Sequence, residues 1–121
     1  MKKILIVDDS PTIRRMVLAS LRSLPDVAFE EAGDGLEAIE ILARNQADLM
    51  ILDLNMPGMH GLEVLQFVRS HEKYRGIPVI VLTTKYDADS RAAALAAGAA
   101  HYMTKPFEPG GILAEAQRLL G

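Results

Sequence analysis

The sequence contains no cysteine and no tryptophan, and its charge imbalance is small. The absence of cysteine excludes a disulfide framework, a thiolate zinc site and a cysteine nucleophile. The 16 acidic and 13 basic residues give a net charge of −3, which disfavours nucleic-acid binding because a surface that follows phosphates usually needs a basic excess. The apolar run at residues 4–7 is too short for a signal peptide or a membrane span. We therefore expect a cytoplasmic protein that neither binds DNA nor inserts into a membrane.

Size and composition indicate one globular domain. With 121 residues, of which 50% are apolar and 24% are charged, the chain can bury a real core and is too apolar for disorder. No linker, low-complexity tract or internal repeat interrupts it. We therefore expect a single domain over residues 1–121, and the start at Met1 favours a free-standing domain over one cut from a larger protein.

Short apolar runs alternate with helical patterns along the chain. Runs typical of strands buried on both faces lie at residues 4–7, 27–29, 49–52, 79–82 and 100–103. Apolar residues recur at helical spacing over residues 11–24, 36–43, 62–68, 89–97 and 112–120. Ser10 provides an N-cap for the first helix and Pro11 follows it at the first helical position. The alternation predicts an α/β fold, an open parallel sheet with helices on both faces, in which the alanine-rich fourth helix is held less tightly than its neighbours.

Polar residues stand directly after four of the predicted strands. They are Asp8 and Asp9, Asp53, Thr83 and Thr84, and Thr104 and Lys105. The carboxyl ends of the strands form the ligand crevice of an open α/β sheet, so we expect these residues to converge. Three carboxylates at one edge repel each other by about 4 kcal/mol per pair at about 4 Å and an effective dielectric constant near 20. Lys105 and a hard cation such as Mg²⁺ are the available compensating charges.

This set of groups is suited to phosphoryl transfer. The reaction needs a nucleophilic carboxylate, a metal ion and a fixed cation near the transferred oxygens. Lys105 supplies the cation, and the Thr83 hydroxyl could donate a further hydrogen bond. Each residue alone has a simpler interpretation, since an Asp after a strand is usually a turn former or helix cap and a Lys before Pro is usually solvated. Ser10 is the expected N-cap of the first helix, so capping does not explain Asp8 and Asp9.

Four motifs carry a resemblance to a known family. They are Val7-Asp8-Asp9-Ser10, the run from Asp53 to Gly61 (DLNMPGMHG), Leu82-Thr83-Thr84, and Lys105-Pro106-Phe107. In order and spacing the chain resembles bacterial two-component response-regulator receiver domains, most closely the stand-alone chemotaxis type. The resemblance implies a flavodoxin-like, doubly wound (βα)5 fold with a five-stranded parallel sheet in the order 2-1-3-4-5.

The resemblance implies a role for each site residue. Asp53 would accept the phosphoryl group as 4-aspartylphosphate; Asp9 and Asp53 would ligate Mg²⁺ directly with the backbone carbonyl of Asn55, and Asp8 would act through water. Lys105 and Thr83 would contact the phosphoryl oxygens. A Thr83 drawn towards the site would let Tyr102 turn inward as the second switch residue. The fourth helix, fifth strand and fifth helix would form the output surface.

The resemblance also implies partners and limits on the chemistry. A sensor histidine kinase would donate the phosphoryl group, a phosphatase could remove it, and the output partner would be a protein such as the flagellar motor switch. An alternative is a single-domain phosphorelay intermediate that passes the group to a His-phosphotransfer protein. The protein would be a monomeric switch with Mg²⁺ as cofactor, limited to self-phosphorylation and slow autodephosphorylation, and not an enzyme.

Some positions depart from the family pattern or leave its details open. His60 stands where the family often has Asp, and we assign it no role. Asn55 and Lys85 occupy positions that modulate dephosphorylation in the family, so they leave the phosphoryl lifetime open. The bond between Lys105 and Pro106 is often cis in the family.

Three other classes share parts of this pattern. An aspartyl-phosphate phosphohydrolase needs a second Asp as acid and base where this chain has Asn55, which cannot transfer the proton. A flavodoxin-like electron carrier is disfavoured because Asp8 and Asp9 would repel a flavin phosphate. A dinucleotide site is weaker still, because residues 33–35 (Gly-Asp-Gly) lack the third glycine of the motif.

Overall fold

The computed structural model describes residues 1–56, 58–85 and 87–121. Pro57, part of the loop motif after Asp53, lies outside these residues. The described strands are β1 (Lys2–Val7), β2 (Val27–Ala32), β3 (Leu49–Leu52), β4 (Val79–Thr83) and β5 (His101–Thr104). The described helices are α1 (Pro11–Leu21), α2 (Gly35–Arg44), α3 (Gly61–Ser70), α4 (Ala88–Ala96) and α5 (Pro109–Leu120). The predicted alternation of strands and helices is confirmed.

The strands form one parallel sheet in the order β2-β1-β3-β4-β5. β1 pairs with β2 on one side and with β3 on the other, where Val7 lies opposite Leu52. The chain builds one edge of the sheet first and then reverses to build the other. In a doubly wound sheet the ligand crevice lies at this reversal, outside the carboxyl ends of the strands. The structure confirms the predicted α/β class and strand order.

Two hydrophobic clusters cover the two faces of the sheet. Successive side chains of a strand point to opposite faces, so that Leu5 and Val7 of β1 pack towards α2, α3 and α4. Ile4 and Ile6 pack towards α1 and α5 on the other face. Because both faces of the inner strands are covered, their buried stretches at residues 4–7, 49–52 and 79–82 are continuously apolar and show no alternation.

Some element boundaries differ from the sequence-based expectation. β2 continues beyond residue 29 through two glutamates to Ala32, which is tolerated because β2 lies at the edge of the sheet. α1 ends at Leu21 and does not extend to Pro25. A turn follows the helix, in which the Leu24 N–H donates to the Leu21 carbonyl at 3.0 Å. Leu36 was expected to mark the apolar face of the second helix, but it is 61% exposed because the buried face of α2 is formed by Gly35, Ala38, Ile41 and Leu42.

α4 buries little side-chain surface against the rest of the domain. Its sole buried residue is Ala94, because alanine side chains are short and present little apolar area. The prediction that α4 is held less tightly than the other helices fits this packing. Across the described ranges, none of the helices combines the length and the apolar character that crossing a membrane requires.

Candidate functional site

Three carboxylates meet at the carboxyl edge of the sheet. Asp8 and Asp9 follow β1 and Asp53 follows β3, the neighbouring strand. One oxygen from each lies within 4.8 Å of the other two. Asp8 and Asp53 are 3% and 4% exposed, whereas Asp9 is exposed. The parallel register of β1 and β3 therefore brings together residues that are more than forty positions apart in sequence.

Lys105 supplies positive charge to this cluster. Its Nζ lies 2.6 Å from Oδ2 of Asp8 and 3.5 Å from Oδ2 of Asp53. The Lys105 side chain is only 11% exposed, so it is not the solvated loop charge that a Lys before Pro usually is. The Lys105–Pro106 peptide bond is cis.

Asp8 is held through each of its polar groups. Its Oδ1 accepts a hydrogen bond from the Ser10 N–H at 2.9 Å, and its Oδ2 accepts from Lys105. Its backbone N–H donates to the Ala32 carbonyl at 3.1 Å, and its backbone carbonyl accepts from Nη1 of Arg14 at 2.5 Å. Both carboxylate oxygens of Asp8 therefore already have donors.

The surroundings of Asp53 act on its charge in opposite directions. Burial raises the pKa of Asp53 above its ordinary value, and the nearby charge of Asp8 also raises it. The N–H of Asn55, 3.2 Å from Oδ1 of Asp53, and the charge of Lys105 lower the same pKa. A further cation in the cluster would favour the ionised carboxylate, which is the nucleophilic form.

The donor set fits a hard divalent cation. The cluster offers carboxylate oxygens without His or Cys, and such oxygens are the ligands that Mg²⁺ prefers. Two direct ligands of Mg²⁺, each about 2.1 Å from the ion, are at most about 4.2 Å apart. The three oxygens, which all lie within 4.8 Å of one another, are close to the spacing that ligands of one ion require. Asp8 differs from the other two because both of its carboxylate oxygens already accept hydrogen bonds, from Ser10 and Lys105.

Thr83 and Tyr102 both contact the backbone of Lys85. Thr83 is fully buried at the end of β4, and its Oγ1 accepts from the Lys85 N–H at 3.3 Å. Tyr102 is 5% exposed, and its hydroxyl donates to the Lys85 carbonyl at 2.8 Å. The Tyr102 hydroxyl is thus bonded to the backbone of the loop that follows β4. Arg91 of α4 lies over the Tyr102 ring, with Cζ 5.8 Å from the ring centroid.

Two predicted residues lie outside this arrangement. Thr84 is exposed and follows the last residue of β4, whereas Thr83 is fully buried; the convergence of Thr84 with the cluster stays a prediction. His60 is exposed and precedes α3, where its N–H donates to Oε1 of Glu63 at 3.2 Å. This bond belongs to the start of the helix.

Two contacts at the site had no assignment from the sequence. Arg14 reaches from α1 to the Asp8 carbonyl, and its only sequence signal is a charged residue one turn after the N-cap. Gly61 begins α3 so close to the acceptor strand that a Cβ there would lie 2.1 Å from the Asp53 carbonyl oxygen and 2.5 Å from Cα of Leu54. The sequence shows Gly61 as the last residue of the loop motif, but it does not show that Gly61 packs against the backbone of Asp53 and Leu54.

Known proteins are similar to this chain in sequence and in fold. Residues 4–117 match the family model described as the response regulator receiver domain. The chemotaxis protein CheY homolog of Campylobacter jejuni is 38% identical over 120 residues, which cover 98% of this chain and 92% of that protein. The structure of the Vibrio cholerae chemotaxis protein CheY4 matches with a TM-score of 0.89 and 37% identity, covering 98% of both chains.

A metal-bound structure is also among the similar ones. The Mn²⁺-bound form of response regulator Rcp1 matches with a TM-score of 0.85 and 30% identity, covering 98% of this chain and 91% of that one. The matched residues of the family model include the whole acidic cluster and Lys105. This chain therefore belongs to the response regulator receiver domain family, whose members are phosphorylation-dependent signalling switches and not classical enzymes.

Proposed function

We propose that this protein is a phosphorylation-activated switch of a two-component system in which Asp53 accepts the phosphoryl group. One observation carries the proposal: the buried Asp53 carboxylate lies beside two further carboxylates and Lys105 at the strand-order reversal. A sensor histidine kinase is the donor, and residues 1–121 act together as a single receiver domain.

The chain's own groups suit an in-line transfer onto Asp53. A carboxylate oxygen of Asp53 attacks phosphorus and forms an O–P bond, while the P–N bond of the donor phosphohistidine breaks and its electron pair stays with the imidazole. Lys105, 3.5 Å from Asp53, then contacts the phosphoryl oxygens, and Thr83 donates a hydrogen bond to them.

Magnesium would be held by the carboxylates of Asp9 and Asp53 and the backbone carbonyl of Asn55, with Asp8 acting through water. When bound, the ion offsets the negative charge that develops on the transferred oxygens. The carboxylate-only donor set supports this assignment, and so does the Mn²⁺-bound form of the similar protein Rcp1.

The identity of residue 55 favours a switch with slow turnover. Asn55 bonds to Asp53 through its backbone N–H, and its side-chain amide cannot transfer a proton to or from an attacking water. Autodephosphorylation is therefore slow by comparison with the turnover of an aspartyl-phosphate phosphohydrolase.

The signal leaves the site through Lys85 and the surface formed by α4, β5 and α5. The Thr83 hydroxyl accepts a hydrogen bond from the Lys85 N–H, and the Tyr102 hydroxyl donates one to the Lys85 carbonyl. A Thr83 side chain drawn to the phosphoryl group therefore changes the loop to which Tyr102 is bonded. α4 follows this loop and buries only Ala94, which makes it the element easiest to displace. The chemotaxis relatives support a flagellar motor-switch protein as the partner.

Intact-mass measurement after incubation with acetyl phosphate and Mg²⁺ tests the proposal. We expect one added phosphoryl group on the wild type and on Asp26→Asn, a matched control at an exposed aspartate before β2, and none on Asp53→Asn. Absence of the added mass from the wild type would overturn the proposed function. Equal labelling of Asp53→Asn would overturn the choice of acceptor.

A further inference from the structure

We infer that Arg14 is a positioning residue for the metal site: its guanidinium holds the Asp8–Asp9 peptide group and so sets where the Asp9 carboxylate lies. The inference rests on the proposed function, because it concerns the magnesium site described there. It adds a residue of α1 that itself touches neither the metal ligands' carboxylates nor the phosphoryl acceptor.

The Arg14 guanidinium bridges the ends of two strands. Its Nη1 donates to the backbone carbonyl of Asp8 at 2.5 Å, and its Nε donates to Oε1 of Glu31 at 2.9 Å. A Cβ on Gly33 would lie 3.6 Å from Nη1, so the guanidinium also packs against the loop after β2. The Arg14 side chain is only 18% exposed. A planar guanidinium with donors in a fixed fork is held in one orientation by these two acceptors.

The Asp8 carbonyl belongs to the peptide group that carries Asp9. That group is planar, so a hydrogen bond to its oxygen limits the rotation of the plane and with it the position of the Asp9 Cα. The N–H of Asp8 is already bonded to Ala32 on β2. Arg14 therefore fixes the carbonyl group of Asp8, from which the chain continues to Asp9.

Asp9 depends on this backbone support more than Asp8 does. The two carboxylate oxygens of Asp8 are held by Ser10 and Lys105. Asp9 is exposed, and within residues 1–56, 58–85 and 87–121 no group donates a hydrogen bond to its carboxylate. Its oxygen nevertheless lies within 4.8 Å of those of Asp8 and Asp53, so the direction of the main chain is what aims it at them.

Charge and geometry predict opposite effects when Arg14 is removed. As a cation near three carboxylates, Arg14 repels a metal ion, so the loss of its charge alone would strengthen Mg²⁺ binding. As a positioning residue, its loss would weaken Mg²⁺ binding, and groups that orient metal ligands typically contribute 10- to 100-fold in affinity. The sign of the change therefore separates the two roles.

The test is calorimetric titration of the unphosphorylated protein with Mg²⁺, repeated with Mn²⁺ by measuring free Mn²⁺ with electron paramagnetic resonance. We expect about 10-fold weaker binding of both ions by Arg14→Ala. Arg15→Ala is the matched control, since Arg15 is the exposed neighbour on α1 and its replacement changes the net charge equally. Its affinity should remain close to that of the wild type, and thermal unfolding should show both variants folded.

Arg14→Lys keeps the charge but replaces the fork by one ammonium, which cannot hold Asp8 and Glu31 in the same fixed geometry. We expect several-fold weaker Mg²⁺ binding, and this variant decides the question if Arg14→Ala does not fold. Wild-type affinity in the folded Arg14→Ala, or tighter binding, would overturn the inference while leaving Asp53 phosphorylation intact. Failure of the wild type to bind either ion would overturn the magnesium assignment of the proposed function together with this inference.

Discussion

Replacing Gly61 by alanine should damage the site without touching any polar group in it. Gly61 is the first residue of α3, and its N–H donates to the Leu54 carbonyl at 3.1 Å. A Cβ at this position would lie 2.1 Å from the carbonyl oxygen of Asp53, 2.5 Å from Cα of Leu54 and 2.8 Å from the Asp53 carbonyl carbon. All three atoms are backbone, so no side-chain rotation relieves the overlap. The start of α3 or the backbone of Asp53 must move.

The expected cost follows from this overlap. Adding a methyl group to a packed site destabilises a protein by about 1–3 kcal/mol, and the helix propensity of alanine returns less than about 1 kcal/mol. A net loss of about 1–2 kcal/mol lowers the midpoint of thermal unfolding by about 4–8 °C, at about 4 °C per kcal/mol for a chain of this length. Because the displaced backbone carries Asp53, phosphorylation should slow by about 10- to 100-fold.

Thermal unfolding and the rate of labelling by acetyl phosphate measure both effects. Gly110→Ala is the matched control, because it also lies in the first turn of a helix, α5, and a Cβ there meets no atom within 4 Å. We expect it to keep the labelling rate and to lose no stability. The packing argument is refuted if Gly61→Ala unfolds and reacts like Gly110→Ala.

Three further substitutions test other contacts. Lys105→Ala should bind Mg²⁺ at least as tightly as the wild type, because the cation that competes for the two buried carboxylates is gone; weaker binding in a calorimetric titration would contradict this. Tyr102→Phe loses the hydrogen bond to the Lys85 carbonyl, at a cost of about 1 kcal/mol in urea unfolding. Burial raises the pKa of Tyr102, so the unfolded state loses the phenolic proton at a lower pH than the folded state does. The free energy of unfolding therefore falls as pH rises above about 10, and it falls less in Tyr102→Phe. Identical pH dependence of the two proteins would refute the assignment of this effect to Tyr102. Arg69→Ala removes four hydrogen bonds to backbone carbonyls before β4 and β5 and should cost about 2–3 kcal/mol in urea unfolding, whereas a loss below about 0.5 kcal/mol would show that water replaces them.

The elements and the two-sided core could be predicted from local patterns. An uninterrupted apolar run such as residues 4–7 of β1 is typical of a strand buried on both faces. Ser10 followed by Pro11 marks the start of α1, where Ser10 indeed caps the helix by accepting from the Ile13 N–H at 3.2 Å. Boundaries were less predictable, because they depend on neighbours. β2 extends to Ala32 since an edge strand tolerates glutamates.

The placement of the acidic cluster was also predictable, because residues that follow neighbouring parallel strands end at the same edge of a sheet. The prediction that these three carboxylates converge therefore needed only the strand order in addition, and the resemblance to a family supplied it. They are Asp8, Asp9 and Asp53. Their individual partners were not predictable in this way. The ion pair between Lys105 and Asp8 joins residues 97 positions apart.

Periodicity and residue type thus specify which elements form, which faces they bury and which edge of the sheet carries the chemistry. They leave open which donor meets which acceptor across that edge. Arg14 on the Asp8 carbonyl, Tyr102 on the Lys85 carbonyl and Gly61 against Asp53 follow only from the packed arrangement. The reason is physical: a hydrogen bond or a steric overlap depends on differences of a few tenths of an ångström in the distance between elements remote in sequence, and those distances are defined only once the helices have packed on the sheet.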